Sequence, residues 1–257
     1  MALNLQEQAT RRMRRLVIAL VAVVVILGAL VVGLVAGSGS SKPDPKGPGA
    51  HRAPSSAEPS PTESASDEDS GYVAPQKWVK LPDGKKREKG FPVQFPHTGE
   101  GAVSMLVSSS RNSFSWDAKQ VEANIRTYMV SSYTERMASA AGQAAQGVRE
   151  HTGMPGSGPL PKGAKLTAWP IGVQWVEKDA DHVSAFVLTR LTTVPGAGKK
   201  AKTELISLPS AATWEKGDWR IEPTPPNETQ TAPEPGDLGS NQFNRSGWIA
   251  IQEGDRR

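Results

Sequence analysis

The chain has 257 residues, a formal net charge of +4, an apolar share of 37%, 25 Gly, 21 Pro and no Cys. The low apolar share and the high Gly and Pro content exclude one compact domain running end to end. The lack of Cys excludes a disulfide framework, a thiolate zinc site, a cysteine nucleophile and a thiol-anchored lipoprotein.

The charge is unevenly spread. Arg11, Arg12, Arg14 and Arg15 face only Glu7 in the first 15 residues, and residues 77–90 hold six basic and two acidic groups. Residues 91–257 balance at 17 of each sign, so the part that should fold is neutral. A duplex-binding domain needs a basic face, and no nucleic acid is expected as a partner.

The first element is Leu16 to Ala36, 21 residues without a charge. As a helix it spans roughly 32 Å, the thickness of a bilayer's hydrocarbon core. The four arginines at its N-terminal end predict a cytoplasmic tail at 1–15, a transmembrane helix at 16–36 and an extracytoplasmic remainder. Ala36-Gly37-Ser38 offers a peptidase small residues, yet the span exceeds the roughly 7–15 residue core of a cleaved signal peptide. An uncleaved signal-anchor, single-pass in the cell membrane with the bilayer as partner, is the expectation. Ala29, Gly33 and Gly37 recur every fourth residue, a spacing that lets membrane helices approach closely and makes a homo-oligomer possible.

Residues 37–76 hold seven Pro, nine Ser and five Gly, with Val73 the only Leu, Ile, Val or Phe. Such a stretch buries too little apolar surface to offset the entropy of ordering, which predicts a disordered linker. An extracytoplasmic domain is then expected over 77–226, with its core at 91–222, and a flexible C-terminal tail at 227–257. Trp248-Ile-Ala-Ile251 within that tail could add an edge strand, bind a partner or do nothing.

The domain reads as α+β, two to three helices packed on a curved antiparallel sheet. Pro92 and Pro96 keep the entry from Gly90 to Thr98 extended. Thr98 is a candidate N-cap, followed by Ala102, Val103, Leu106 and Val107 at helical spacing until Ser108–Ser110 weaken the pattern. Asp117 and Gln120 form a capping box, flanked by Trp116 and Val121, for a second helix that runs toward Glu150 with breaks expected near Ser131 or Gly142. Strands follow at Lys165–Val176, with a bulge or edge at Pro170, at His182–Val194 and at Thr203–Leu208. Trp214–Trp219 reads as a hairpin with Gly217-Asp218 at its tip. In the middle strand Val183, Ala185, Val187 and Leu191 point one way while Phe186 and Leu188 point the other, so both its faces should be covered.

The run Gly90–Val103, the strand block Val183–Gly198 and Trp214–Pro226 resemble the extracytoplasmic domain of actinobacterial bitopic membrane proteins. Those proteins are often associated with conjugative or integrative elements. The resemblance implies a cone of the nuclear-transport-factor-two-like kind, similar to scaffold subunits of conjugal-transfer (type IV secretion) channels. It implies protein partners in the cell envelope and carries over no catalytic residue.

The sequence has no phosphate loop, nucleophile elbow or zinc-protease motif. His97 and Glu100 sit at a helix start, where capping accounts for them, and Asp179 and Asp181 sit in a turn. Tyr128, Tyr133, Trp175, Trp214 and Trp219 are the candidate pocket or interface residues. Five positions apart on a helix, Tyr128 and Tyr133 diverge by roughly 140° and cannot face one cavity squarely. No catalytic residue, metal or cofactor is expected. The expected function is a non-catalytic assembly or scaffold component of a conjugation, secretion or envelope complex. The alternative is a module sensing a lipid, wall fragment or small molecule.

Overall fold

The computed structural model describes residues 71–223 and 232–252. The expected tail, span and linker up to residue 70, with Arg11, Arg12, Arg14, Arg15, Ala29, Gly33 and Gly37, lie outside the described residues. Among the described residues no helix is long and apolar enough to cross a membrane.

The fold is α+β. In chain order the strands are β1 (Trp78–Val79), β2 (Lys86–Glu88), β3 (Phe91–Val93), β4 (Lys165–Glu177), β5 (His182–Val194), β6 (Lys202–Glu215), β7 (Asp218–Glu222) and β8 (Ile249–Ile251). The helices are α1 (Gly99–Ser113), α2 (Ala118–Tyr128), α3 (Ser131–Ser139), α4 (Ala141–His151) and α5 (Asn241–Arg245). One sheet runs β1-β8-β4-β5-β6-β7, and β2 pairs with β3 as a separate hairpin. The sheet is mixed rather than wholly antiparallel, because β1 lies parallel to β8.

Local chemistry sets the helix ends. The Thr98 hydroxyl accepts from Gly101 N at 3.1 Å and starts α1. Asp117 caps α2 by accepting from Lys119 N at 2.9 Å. Its own N–H donates to Ser115 Oγ, which in turn donates to Gln120 Oε1, so the capping box closes through a serine. Met129 and Val130 are extended, ending α2, and α3 has no side-chain cap of its own. The Glu215 carboxylate supplies one from β6, accepting from Ser131 N at 3.1 Å and Ser131 Oγ at 2.6 Å. That hydrogen bond from the Ser131 hydroxyl is the main reason Glu215 is held below the usual carboxylate range.

The long strands β4, β5 and β6 form an antiparallel meander. Its register slips between Pro170 and Gly172, the bulge that the proline announced. The β6–β7 turn is Lys216-Gly217, both at positive φ, one residue earlier than expected.

Val183, Ala185 and Val187 of β5 pack with α1 through Val103, Leu106 and Val107. The opposite face, Phe186 and Leu188, packs against Ile171, Phe243, Trp248 and Ala250. The described part of the expected flexible tail, residues 232–252, therefore covers the sheet, because it carries the apolar side chains the second face needs. Trp248 and Phe243 are 1% and 0% exposed, and Trp248 Nε1 donates to Glu234 O at 3.0 Å. Two glycines admit the phenyl ring and its backbone: a Cβ on Gly172 would crowd the Phe243 ring, and one on Gly236 would overlap Phe243 N.

The domain also begins inside the expected linker. Val73 N donates to Gly239 O at 2.7 Å, Gln76 N to Asn244 Oδ1 at 3.0 Å, and Asn244 Nδ2 to Ala74 O at 3.0 Å. Ala250 N and Gln252 N then donate to Lys77 O and Val79 O, so the two ends of the domain complete each other's strands.

Phe243→Ala is expected to destabilise the domain by about 3–5 kcal/mol, the cost of deleting a buried aromatic ring. Urea unfolding followed by tryptophan fluorescence measures it; a change below about 0.5 kcal/mol would mean that the C-terminal segment is not part of the core.

Candidate functional site

The five aromatic residues singled out from sequence do not enclose a common cavity. Tyr128 ends α2 in the main core, 1% exposed, and its hydroxyl donates to Pro92 O at 2.9 Å. Burial, with the Asp218 charge as a second cause, raises its pKa well above the ordinary phenol value. Tyr133 lies beyond the break on α3, with the Arg136 guanidinium 4.6 Å from its ring centre. The helix break separates the two tyrosines, which sequence reasoning had parted by their angle on one helix. Trp175 and Trp214 are partly buried against the main core, and Trp219 belongs to it.

Trp214 and Trp219 build a shelf at the N-terminal end of α1. His97 stacks on Trp214 with ring centres 4.0 Å apart and planes 11° apart, and meets Trp219 edge-on at 5.5 Å. His97 Nε2 lies 2.8 Å from Asp181 Oδ1. With one ring face on Trp214 and one nitrogen on Asp181, the imidazole joins the entry to α1 to the β4–β5 turn. Beside it, Trp219 Nε1 donates to Pro96 O at 2.8 Å.

Asp218 is the buried carboxylate of this region. Its oxygens accept from Gln94 N at 2.8 Å, Phe95 N at 3.0 Å and Trp219 N at 2.9 Å. Three backbone donors hold the carboxylate and fasten the entry segment to β7. The group that resembles a candidate base thus works as a clamp. A second polar seam joins α1 to α2 and β5. Asn124 Nδ2 donates to Ser109 Oγ and Ser113 Oγ at 3.1 and 3.2 Å, and Ser110 lies 3.0 Å from Thr189 Oγ1. Ser109 and Ser110, two of the serines that weaken the apolar pattern of α1, are therefore interior contacts.

Two open concavities lie elsewhere. The larger, about 590 Å³, is walled by the junction of α1 and α2, by α4, by the loop after it and by the start of β4. Arg111, Arg149 and Lys165 line it, with Asp117 as the acid, and Trp116 and Leu166 among its apolar walls. The second, about 460 Å³, is lined by Lys89, Lys119, Glu122, Arg126 and Arg220 among others. There Arg126 is neutralised by Glu122 and Glu135, at 2.8 and 2.7 Å. Neither concavity is lined by any of the five aromatic candidates. Sequence reasoning missed the larger one because its walls come from segments far apart in the chain; the available signal was Gly142, Ala145 and Arg149 recurring on one face of α4.

Among the described residues no three His, Asp or Glu side chains converge as a metal site requires. No protein-family model, curated protein or solved structure matches the chain.

His151 closes the far end of α4 on β6, its Nε2 2.8 Å from Glu204 Oε1. That hydrogen bond raises the His151 pKa above its ordinary value. The pair's stabilisation is thus fully present below about pH 6.5 and is lost as pH rises through the raised folded value. Because Glu204 is substantially exposed, it amounts to no more than about 1 kcal/mol. Unfolding free energies of the parent and Glu204→Gln should differ most at pH 5.5 and converge at pH 8.5; a gap that does not shrink with pH would refute the pairing.

Proposed function

We propose that this chain is a single-pass membrane protein that presents a non-catalytic extracytoplasmic domain. In this reading it is an assembly or scaffold component of a conjugation, secretion or cell-envelope complex. The observation that carries the reading is the use made of the interior polar groups. A catalytic cone needs a carboxylate, His or Tyr facing a cavity. Here Asp218 is held by three backbone N–H groups, and the Tyr128 hydroxyl and the Trp219 indole N–H are spent on backbone carbonyls. Side chains tied in this way favour a rigid body that works through its surface.

Two features of the sequence complete the proposal. The uncharged segment 16–36 behind four arginines is the anchor, and the Pro, Ser and Gly-rich stretch up to residue 70 is the tether. The likeness of Gly90–Val103, Val183–Gly198 and Trp214–Pro226 to actinobacterial bitopic proteins supports a nuclear-transport-factor-two-like cone and a place beside conjugal-transfer scaffolds. A ligand-binding module is the second reading, favoured by the open, cation-lined cleft beside α4.

The test uses the full-length chain in intact cells, with a photo-crosslinking residue at Trp169 or Val176, which are 41% and 62% exposed. The proposal predicts discrete protein adducts, and removal of the domain by protease added outside the cell. A chain recovered in the soluble fraction, or a membrane-bound domain that gives no protein adduct, would contradict it.

A further inference from the structure

The cleft beside α4 is distinguished by how its cations are held. Arg149 is fixed by neutral acceptors: its Nε donates to Trp116 O at 3.1 Å, and its NH1 to Gly158 O at 2.8 Å and Pro155 O at 3.4 Å. Three carbonyls orient the guanidinium and leave its charge uncompensated. Its neighbour Glu150 is engaged elsewhere, accepting from Gln146 Nε2 at 2.7 Å. Arg111 rests 5.9 Å from the Trp169 ring centre. Among the described residues neither arginine, nor Lys165, is within ion-pair distance of a carboxylate.

The acid in the cleft does not supply the missing charge. Asp117 Oδ1 is turned to the α2 backbone, accepting from Lys119 N. Three cations against one committed carboxylate make this a positive cleft in a stretch, residues 91–257, that is neutral taken as a whole. The floor is small and open: a Cβ on Gly142 or Gly158 would meet nothing. With Nε and NH1 spent on carbonyls, NH2 is the donor left for a ligand, and a guanidinium held rigid in this way presents it, with the full charge, to one oxygen of a carboxylate at little further entropic cost.

We propose that this cleft binds a small carboxylate-bearing molecule, anchored by Arg149 with Arg111 and Lys165 closing around its charge. The inference deepens the ligand-binding reading and does not depend on the membrane anchor. A second carboxylate would be shared by Arg111 and Lys165, and small apolar substituents would fit beside Gly142 and Ala145.

Hydrogen exchange read by mass spectrometry on the purified full-length chain tests this at constant ionic strength. The probes are citrate and N-acetyl-dialanine, each at 20 mM against chloride. At least one should slow exchange several-fold in segments 114–120 and 142–160, while β5 stays unchanged. The responding probe tells a polycarboxylate from a peptide terminus. The Arg111→Gln/Lys165→Gln pair should weaken that protection about tenfold while its melting temperature matches the parent's. Protection by neither probe, protection spread over the whole surface, or protection that survives in the double variant would overturn the proposal. Failure here leaves the crosslinking and protease results untouched, so the two readings fall separately.

Discussion

The architecture depends on one constraint: the central strand β5 is apolar on both faces and each face must be kept from water. A meander alone cannot do this, since its strands supply only the sheet. Helix α1 covers one side with Val103, Leu106 and Val107. The other side is covered from the far end of the chain by Phe243 and Trp248. Burying two large aromatic side chains contributes about 2–3 kcal/mol each in transfer free energy, the main apolar gain available to a segment whose composition is otherwise that of a loop. Once Phe243 and Trp248 are seated, β8 falls between β4 and β1 and completes the sheet. The N-terminal residues 73–79 are held in turn by that same segment. Both boundaries of the domain are consequences of covering Phe186 and Leu188.

Much of this was legible in the sequence where the determinants are local. Thr98 and Asp117 mark helix starts because a short polar side chain there satisfies an orphan backbone N–H. Pro170 marks the bulge because it has no N–H to donate. The opposed apolar sets of β5 demanded a second cover. What could not be read was its source. Phe243 and Trp248 sit among Pro, Gly, Glu and Asn, and their partners Gly172 and Phe186 are more than fifty positions away in sequence. The candidate site was obscured because its walls close only in the fold. Arg149 is ordinary on a helical wheel, and it takes the path of the loop after α4, with the carbonyl of Trp116, to show that it is held without a counter-charge. The aromatic candidates were chosen for their chemistry, whereas their surroundings make Tyr128 and Trp219 packing residues.

The interior polar groups follow a common pattern. Asp218, Asn124 and the α1 serines connect separate elements: the entry segment to β7, and α1 to α2 and β5. Hydrogen-bonded interior polar groups specify one arrangement rather than adding much net stability. A rigid, specified body is what a docking module requires, and it directs attention outward. There the cleft beside α4 stands out because its positive charge is unspent.

The central claim, that the C-terminal segment is the sheet's second cover, is tested most directly by native-state hydrogen exchange on the full-length chain. The account predicts that the Ala250 and Gln252 amides, bonded to Lys77 O and Val79 O, exchange only through the same global opening that frees the amides of β5. Exchange at Ala250 and Gln252 orders of magnitude faster than in β5 would contradict it.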